Sequence, residues 1–332
     1  MTPHNPTRPP HNRSRGAALL AAMLTVTLVA TFAAAAMWQQ WRAVEVETAE
    51  RGRTQALWIL TGALDWSRLI LREDGRTSGA DHLAEPWAVP LQEARLSTFL
   101  AAERNVAQVD DASTPVADAF ISGQMTDLQS RLNVNSLVQG GKVLPEVQHQ
   151  FERLFSQLGL PAAELQAMTA ALLQAQSGEG TNDSAPLQPP SFSQLGWLGL
   201  QPTTLAQLAP HVTVLPGRTP INANTAGAEV LMAAVEGLDL GSAQKIIAAR
   251  QTRHFRSLSD LTELLGQSIQ VSADSVGIAS SYFEVRGRLR LETATVDERS
   301  IVRKQGTTVT TLWRERGALD RPGAATAPQS AR

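Results

Sequence analysis

Arg15-Gly16-Ala17-Ala18-Leu19-Leu20 opens a run that continues without a charged side chain to Met37-Trp38, and its reading decides the architecture of this 332-residue chain. Residues 17–38 are 22 uncharged, mostly apolar positions. A helix needs roughly 20 to cross a hydrocarbon core about 30 Å thick. The segment before it, 1–14, is rich in Pro and Asn and carries Arg8 and Arg13 with no acid. That composition predicts no fixed structure. Its positive charge, with Arg15, predicts a cytoplasmic N-terminus.

Three readings of the apolar run compete. A secretion signal would have an apolar core of about 7–15 residues followed by a small-residue cleavage site. Ala33-Ala34-Ala35-Ala36 supplies small residues, but the run is long for that reading. An ordinary signal anchor fits both length and flanks. The third reading uses Gly16, which stands directly after Arg15 at the head of the run. A glycine there, behind a short basic leader, marks a type IV prepilin-like precursor. Such a precursor is cut on the cytoplasmic side and keeps its hydrophobic segment.

Beyond Trp38 the chain does not become loop. No proline occurs over 39–73, and Ala, Leu, Gln, Glu and Arg predominate, all good helix formers. Leu57, Leu60, Leu64 and Leu71 fall at offsets 0, 3, 7 and 14, one stripe of an amphipathic helix. The spacing predicts one helix over 17–73, roughly 85 Å long, with bends at Gly52 and Gly62 and an end at Asp74-Gly75. Residues 91–103 read as a short helix, and 119–128 as a strand. Helices follow over 146–158, 161–175, 192–200 and 202–208. From Tyr282 the pattern changes to strands. Residues 282–291 alternate apolar and charged, so one face is buried and the other wet. Residues 299–305 and 307–314 read as a hairpin around Gly306, with Val309 and Trp313 on the buried face. Strands separated in sequence must pair or leave open edges, which predicts one sheet interrupted by a helical block.

Bulk composition excludes several classes. There are no cysteines, hence no disulfide, thiolate or cysteine-held zinc. The formal charge is −2; without 1–16 it becomes 26 basic against 31 acidic side chains, or −5. That is no signature of nucleic-acid binding. No catalytic constellation emerges. His149, His211 and His254 stand without a nucleophile or orienting carboxylate at recognisable spacing, and no phosphate loop or His-Glu-x-x-His pattern occurs. Asp110-Asp111 with Asp118, and Glu179 with Asp183, offer oxygens to calcium without the spacing of a calcium loop. Asn133-x-Asn135 and Asn222-x-Asn224 form an internal repeat whose expected role is structural, as helix N-caps.

Residues 221–264 are similar to a helix-hairpin-helix module. Such modules present turn amides and basic side chains to DNA phosphates, and membrane-anchored competence DNA receptors carry one. Here the turn reads Asp239-Leu240-Gly241, with an acid where a phosphate would approach. Over 237–265 four basic residues face three acidic ones, too near neutral for a phosphate-binding face.

Taken in order, these features resemble the minor pseudopilin K family of type II secretion. They are Arg15-Gly16 before Ala17-Ala18-Leu19-Leu20, then Ile121-Ser122-Gly123-Gln124, Asp127-Leu128-Gln129-Ser130 and Asn133-x-Asn135. Asn222-x-Asn224-Thr225-Ala226, the hairpin helices and Ser281-Tyr282-Phe283 complete the series. The resemblance implies an α+β fold, a pilin-like long N-terminal helix packed on an antiparallel sheet with a large inserted all-α domain. The implied parts are a leader (1–16), a membrane half-helix (17–38), pilin-like segments (39–130 and 279–317), the α-domain (131–278) and an unstructured tail (318–332). Cleavage is expected between Gly16 and Ala17, with N-methylation of Ala17. Ala21, the fifth mature residue, stands where most pilins carry glutamate and where this family lacks it. The expected role is non-enzymatic, a pseudopilus tip built with minor pseudopilins I and J. Minor pseudopilin H, the prepilin peptidase and the inner-membrane assembly platform are further expected partners, and nucleic acid is not. No cofactor is assigned, although some relatives bind calcium.

Overall fold

The computed structural model describes residues 14–77, 79–98, 119–177, 187–266, 269–291 and 294–317. One unbroken helix, α1 (Ser14–Thr77), has 64 residues and spans about 96 Å at about 1.5 Å per residue. Gly52 and Gly62 do not interrupt it, and Asp74-Gly75 does not end it. Residues 16–51 are exposed throughout. Burial begins at Ala56 and follows the stripe Leu60, Leu64, Ser67, Leu71 and Asp74.

That stripe lies on a five-stranded sheet of order β1-β2-β9-β10-β11. Its strands are β1 (Leu91–Arg95), β2 (Ala119–Asp127), β9 (Tyr282–Leu291), β10 (Ala294–Gln305) and β11 (Thr308–Arg316), all antiparallel to their neighbours. Residues 91–95, expected to be helical, form an edge strand instead. Ala94 and Arg95 take their places opposite Ile121 and Phe120, and tertiary pairing overrides a modest helix propensity. The inward side chains of β9 (Phe283, Val285, Leu289, Leu291) join Ile121, Val296, Val302 and Trp87 beneath α1. Each fully buried leucine of the α1 stripe contributes roughly 1.5–3 kcal/mol. At Gly287 a Cβ would lie 2.8 Å from Leu60 Cδ1, so the bare backbone lets α1 settle closely.

Val309 and Trp313 fall on opposite faces, contrary to the alternation expected. Thr311 pairs with Val302 but Trp313 with Ile301, so Leu312 is an extra residue that flips the phase. Trp313 therefore packs on the outer face against a cluster of Leu128, Leu215, Tyr282 and Ile301.

Between β2 and β9 runs a second core, drawn from 132–276. Its helices are α2 (Pro145–Gln157), α3 (Ala162–Ser177), α4 (Pro202–Leu208), α5 (Ala228–Ala234), α6 (Leu240–Thr252) and α7 (Leu258–Leu265). Leu137, Phe151, Leu154, Phe155, Leu165, Met168 and Leu172 are among its large fully buried members. Residues 192–198 form a 3₁₀ turn. Three two-residue pairings also occur here: β3 (Leu132–Asn133) with β6 (Val212–Thr213), β4 (Val138–Gln139) with β5 (Lys142–Val143), and β7 (Ile221–Asn222) with β8 (Val276–Gly277).

Candidate functional site

Gly16, Ala17 and Ala21 lie in the opening turns of α1, all exposed. A Cβ at Gly16 would meet nothing within 4 Å. Glycine in a helix costs about 1 kcal/mol relative to alanine, and no packing among the described residues calls for it at 16, nor at Gly52 or Gly62.

The densest polar constellation joins the two cores. Asp127, at the end of β2, accepts from Thr225 Oγ1 (2.5 Å), Ser280 Oγ (2.7 Å), Gln129 N (2.8 Å) and Asn222 Nδ2 (3.1 Å). Burial pushes its carboxyl above the usual range, against the pull of those donors. Asn222 is wholly buried. Its Nδ2 also reaches Asp81 O and Ser280 Oγ, and its Oδ1 accepts Asn224 N at 2.9 Å. Asn224 in turn holds both main-chain groups of Phe255. Asn133 Oδ1 accepts Asn135 N at 3.1 Å in the same way. Both repeats are thus side-chain-closed turns, and the second is also welded to the sheet.

A charged layer adjoins this one. Lys304 Nζ donates to Asp74 Oδ2 (2.6 Å) and to Asp81 Oδ1. Asp81 Oδ2 accepts Ser280 N, and Glu85 Oε2 accepts Trp87 Nε1 and His82 N. Burial pushes Asp81 up to about 6 and Glu85 up to about 7. The His82 and His254 rings stack at 3.7 Å. Burial and His254 lower the His82 pKa.

Asp74, Asp81 and Glu85 form the metal-sized acidic group among the described residues. They do not fit calcium, which takes six to eight oxygens. The Lys304 ammonium already sits on two of the three carboxylates, and Glu85 is engaged by Trp87 and His82. Asp110, Asp111, Asp118, Glu179 and Asp183 lie outside the described residues.

The hairpin after Ala228 is real, and several of its polar groups are used within the chain. Asp239 caps α6 through Ser242 N at 2.7 Å. Arg250 Nη1 donates to Ala223 O and Ala226 O, and burial pushes its pKa down to about 10. Ser257 and Asp260 form a reciprocal capping box at α7. Arg250 is thus turned inward, whereas Arg253 and Arg256 stay exposed.

Sequence reading missed the Asp74–Lys304–Asp81 network because its members are far apart along the chain. One signal was present. Lys304 shares phase with Val302, on the inward face of β10, and an inward lysine requires a partner.

Taken as a whole, fold and site define a pilin-like subunit with a membrane-length stem and an inserted helical domain locked to its sheet. The family described as type II secretion system protein K matches residues 130–217 and 221–279. Type II secretion system protein K of Pseudomonas aeruginosa is 28% identical, over 83% of this chain and 84% of that protein. That of Klebsiella pneumoniae is 26% identical, over 92% and 98%. A solved structure, the GspK-GspI-GspJ complex of enterotoxigenic Escherichia coli, shares the fold with a TM-score of 0.61 at 18% identity, over 81% of this chain and 98% of the matched one. Over most of its length the chain is thus similar to type II secretion system protein K, a minor pseudopilin of that system.

Proposed function

We propose that this chain is made as a precursor, cut between Gly16 and Ala17, N-methylated at Ala17, and assembled with minor pseudopilins I and J into the pseudopilus tip. The carrying observation is the place of Gly16, an exposed glycine directly after Arg15 at the head of the apolar run. A glycine there gives a peptidase close access to the backbone. Arg8, Arg13 and Arg15 favour a cytoplasmic leader, which sets residues from about 39 onward in the periplasm.

Ala21 supports a terminal place in the filament. A carboxylate there would be buried in lipid unless a neighbour's amine paired with it. Alanine needs no subunit above it. The GspI and GspJ chains that accompany the E. coli relative motivate the choice of partners. Minor pseudopilin H and the inner-membrane assembly platform follow as further contacts of the same reading. The role is mechanical and non-enzymatic: starting pseudopilus assembly and supporting export across the outer membrane. N-terminal sequencing of the membrane-extracted protein tests it. The expected first residue is Ala17, methylated; a start at Met1 or after Ala36 overturns the reading.

A further inference from the structure

β11 ends the sheet, and its outer edge carries open hydrogen-bonding groups. Lys304 N donates to Ser281 O at 2.7 Å, toward β9. Its partner across the ladder, Val309, therefore turns its own N–H and C=O away from β10. Thr311, two residues on, does the same. Arg68 Nη2 occupies Val309 O at 3.0 Å. Among the described residues no other bond is made to the Val309 N–H or to either main-chain group of Thr311 from that side. The strand TVTTLWRER contains no proline or lysine, the usual guards of an edge. The extra residue at Leu312 bends only the second half.

A groove of about 500 Å³ runs between this edge and α1, lined by Asp65, Trp66, Leu69, Arg72, Thr308 and Val309 among others. Asp65 is taken by Arg68 Nη1 at 3.0 Å. Arg72 makes no ion pair with a described residue. The groove thus combines open main-chain groups, an apolar wall and an excess of positive charge. Those are the requirements for adding an extended strand that carries an acid.

We propose that the 308–311 edge of β11 is a strand-addition site for a neighbouring pseudopilin, whose extended segment pairs with Val309 and Thr311 and sets a carboxylate on Arg72. The choice of occupant rests on the assembly reading above. Charge complementarity at Arg72 selects an acidic strand.

The test uses the full-length protein in detergent with full-length pseudopilins I and J. Hydrogen exchange at the Val309 and Thr311 amides is expected to slow at least about tenfold on complex formation. Thr311→Pro removes a donor that faces outward on an edge strand, where proline is tolerated. It is expected to weaken assembly about tenfold or more with an unchanged melting temperature. Arg72→Glu, on the exposed side of α1, is expected to do the same and settles the matter if Thr311→Pro fails to fold. A complex that forms with unchanged exchange at 309–311, or that tolerates both variants, overturns the proposal. So does protection of these amides by self-association without I and J. If the wild-type chain binds neither I nor J, the partner assignment itself fails.

Discussion

Replacing Asn222 by alanine should separate the two cores energetically. The residue is fully buried, and its amide makes bonds of 3.0 Å to Asp81 O, 3.1 Å to Asp127 Oδ2 and 2.9 Å to Ser280 Oγ. Its carbonyl accepts Asn224 N at 2.9 Å. Alanine leaves the Asn224 N–H without an acceptor, worth about 1–3 kcal/mol, and removes a charge-assisted bond worth about 1.5–3 kcal/mol. Asp127 retains Ser280, Thr225 and Gln129, so its carboxylate is not stranded. A loss of about 3–5 kcal/mol is expected, read from urea unfolding followed by tryptophan fluorescence with Trp87, buried against Phe283, as reporter. Asn135→Ala, half-buried with one strong amide bond to Leu215 O, should cost only about 1 kcal/mol. A loss below about 1 kcal/mol for Asn222→Ala would refute the claim that this side chain ties the halves together.

Gly75→Ala would put a Cβ 2.2 Å from Gly306 O. The clash is with backbone, so the β10–β11 turn must lift from α1, and a loss of about 1–3 kcal/mol in the same unfolding assay is expected. Leu60→Ala empties a fully buried site over Gly287 and should cost about 2–5 kcal/mol. Burial raises Asp81 to about 6 and Glu85 to about 7. The folded state then holds protons that the unfolded state releases, so their contribution is complete below about pH 4 and is lost as pH rises to about 7. His82, lowered by burial, acts oppositely and costs stability as pH falls through 6.5. Glu85→Gln keeps a neutral hydrogen-bonding group, so its urea midpoint should vary less than the wild type's between pH 4.5 and 7.5; identical profiles would remove Glu85 from the account.

Local periodicity carried much of this molecule. The leucine stripe 57–71 was legible because a helix buries every third or fourth residue regardless of what it meets. The cap at Asn133 was legible because its partner, Asn135 N, lies two residues on. Asn222, read the same way, closes a turn instead, and the helix after it starts from Gly227. Residues 91–95 were not, since a short polar stretch becomes a strand only when β2 lies beside it. The phase of Trp313 was hidden as well, because one extra residue in β11 is defined only against β10.

The helix-hairpin-helix resemblance shows the same division. The motif at 221–264 exists as the sequence indicates, yet Arg250 points inward to Ala223 and Ala226. Residue type alone does not say which way a guanidinium turns. Sequence alone determined the proline-free stem over residues 17–73 and its apolar first part. That depends on composition and spacing along one segment, which the chain itself specifies. Only the tertiary structure decided that Asp74, Asp81, Asp127, Asn222, Ser280 and Lys304 share one buried junction. Their sequence separations reach 230 residues, and their attraction exists only after two independent cores have closed and excluded water between them.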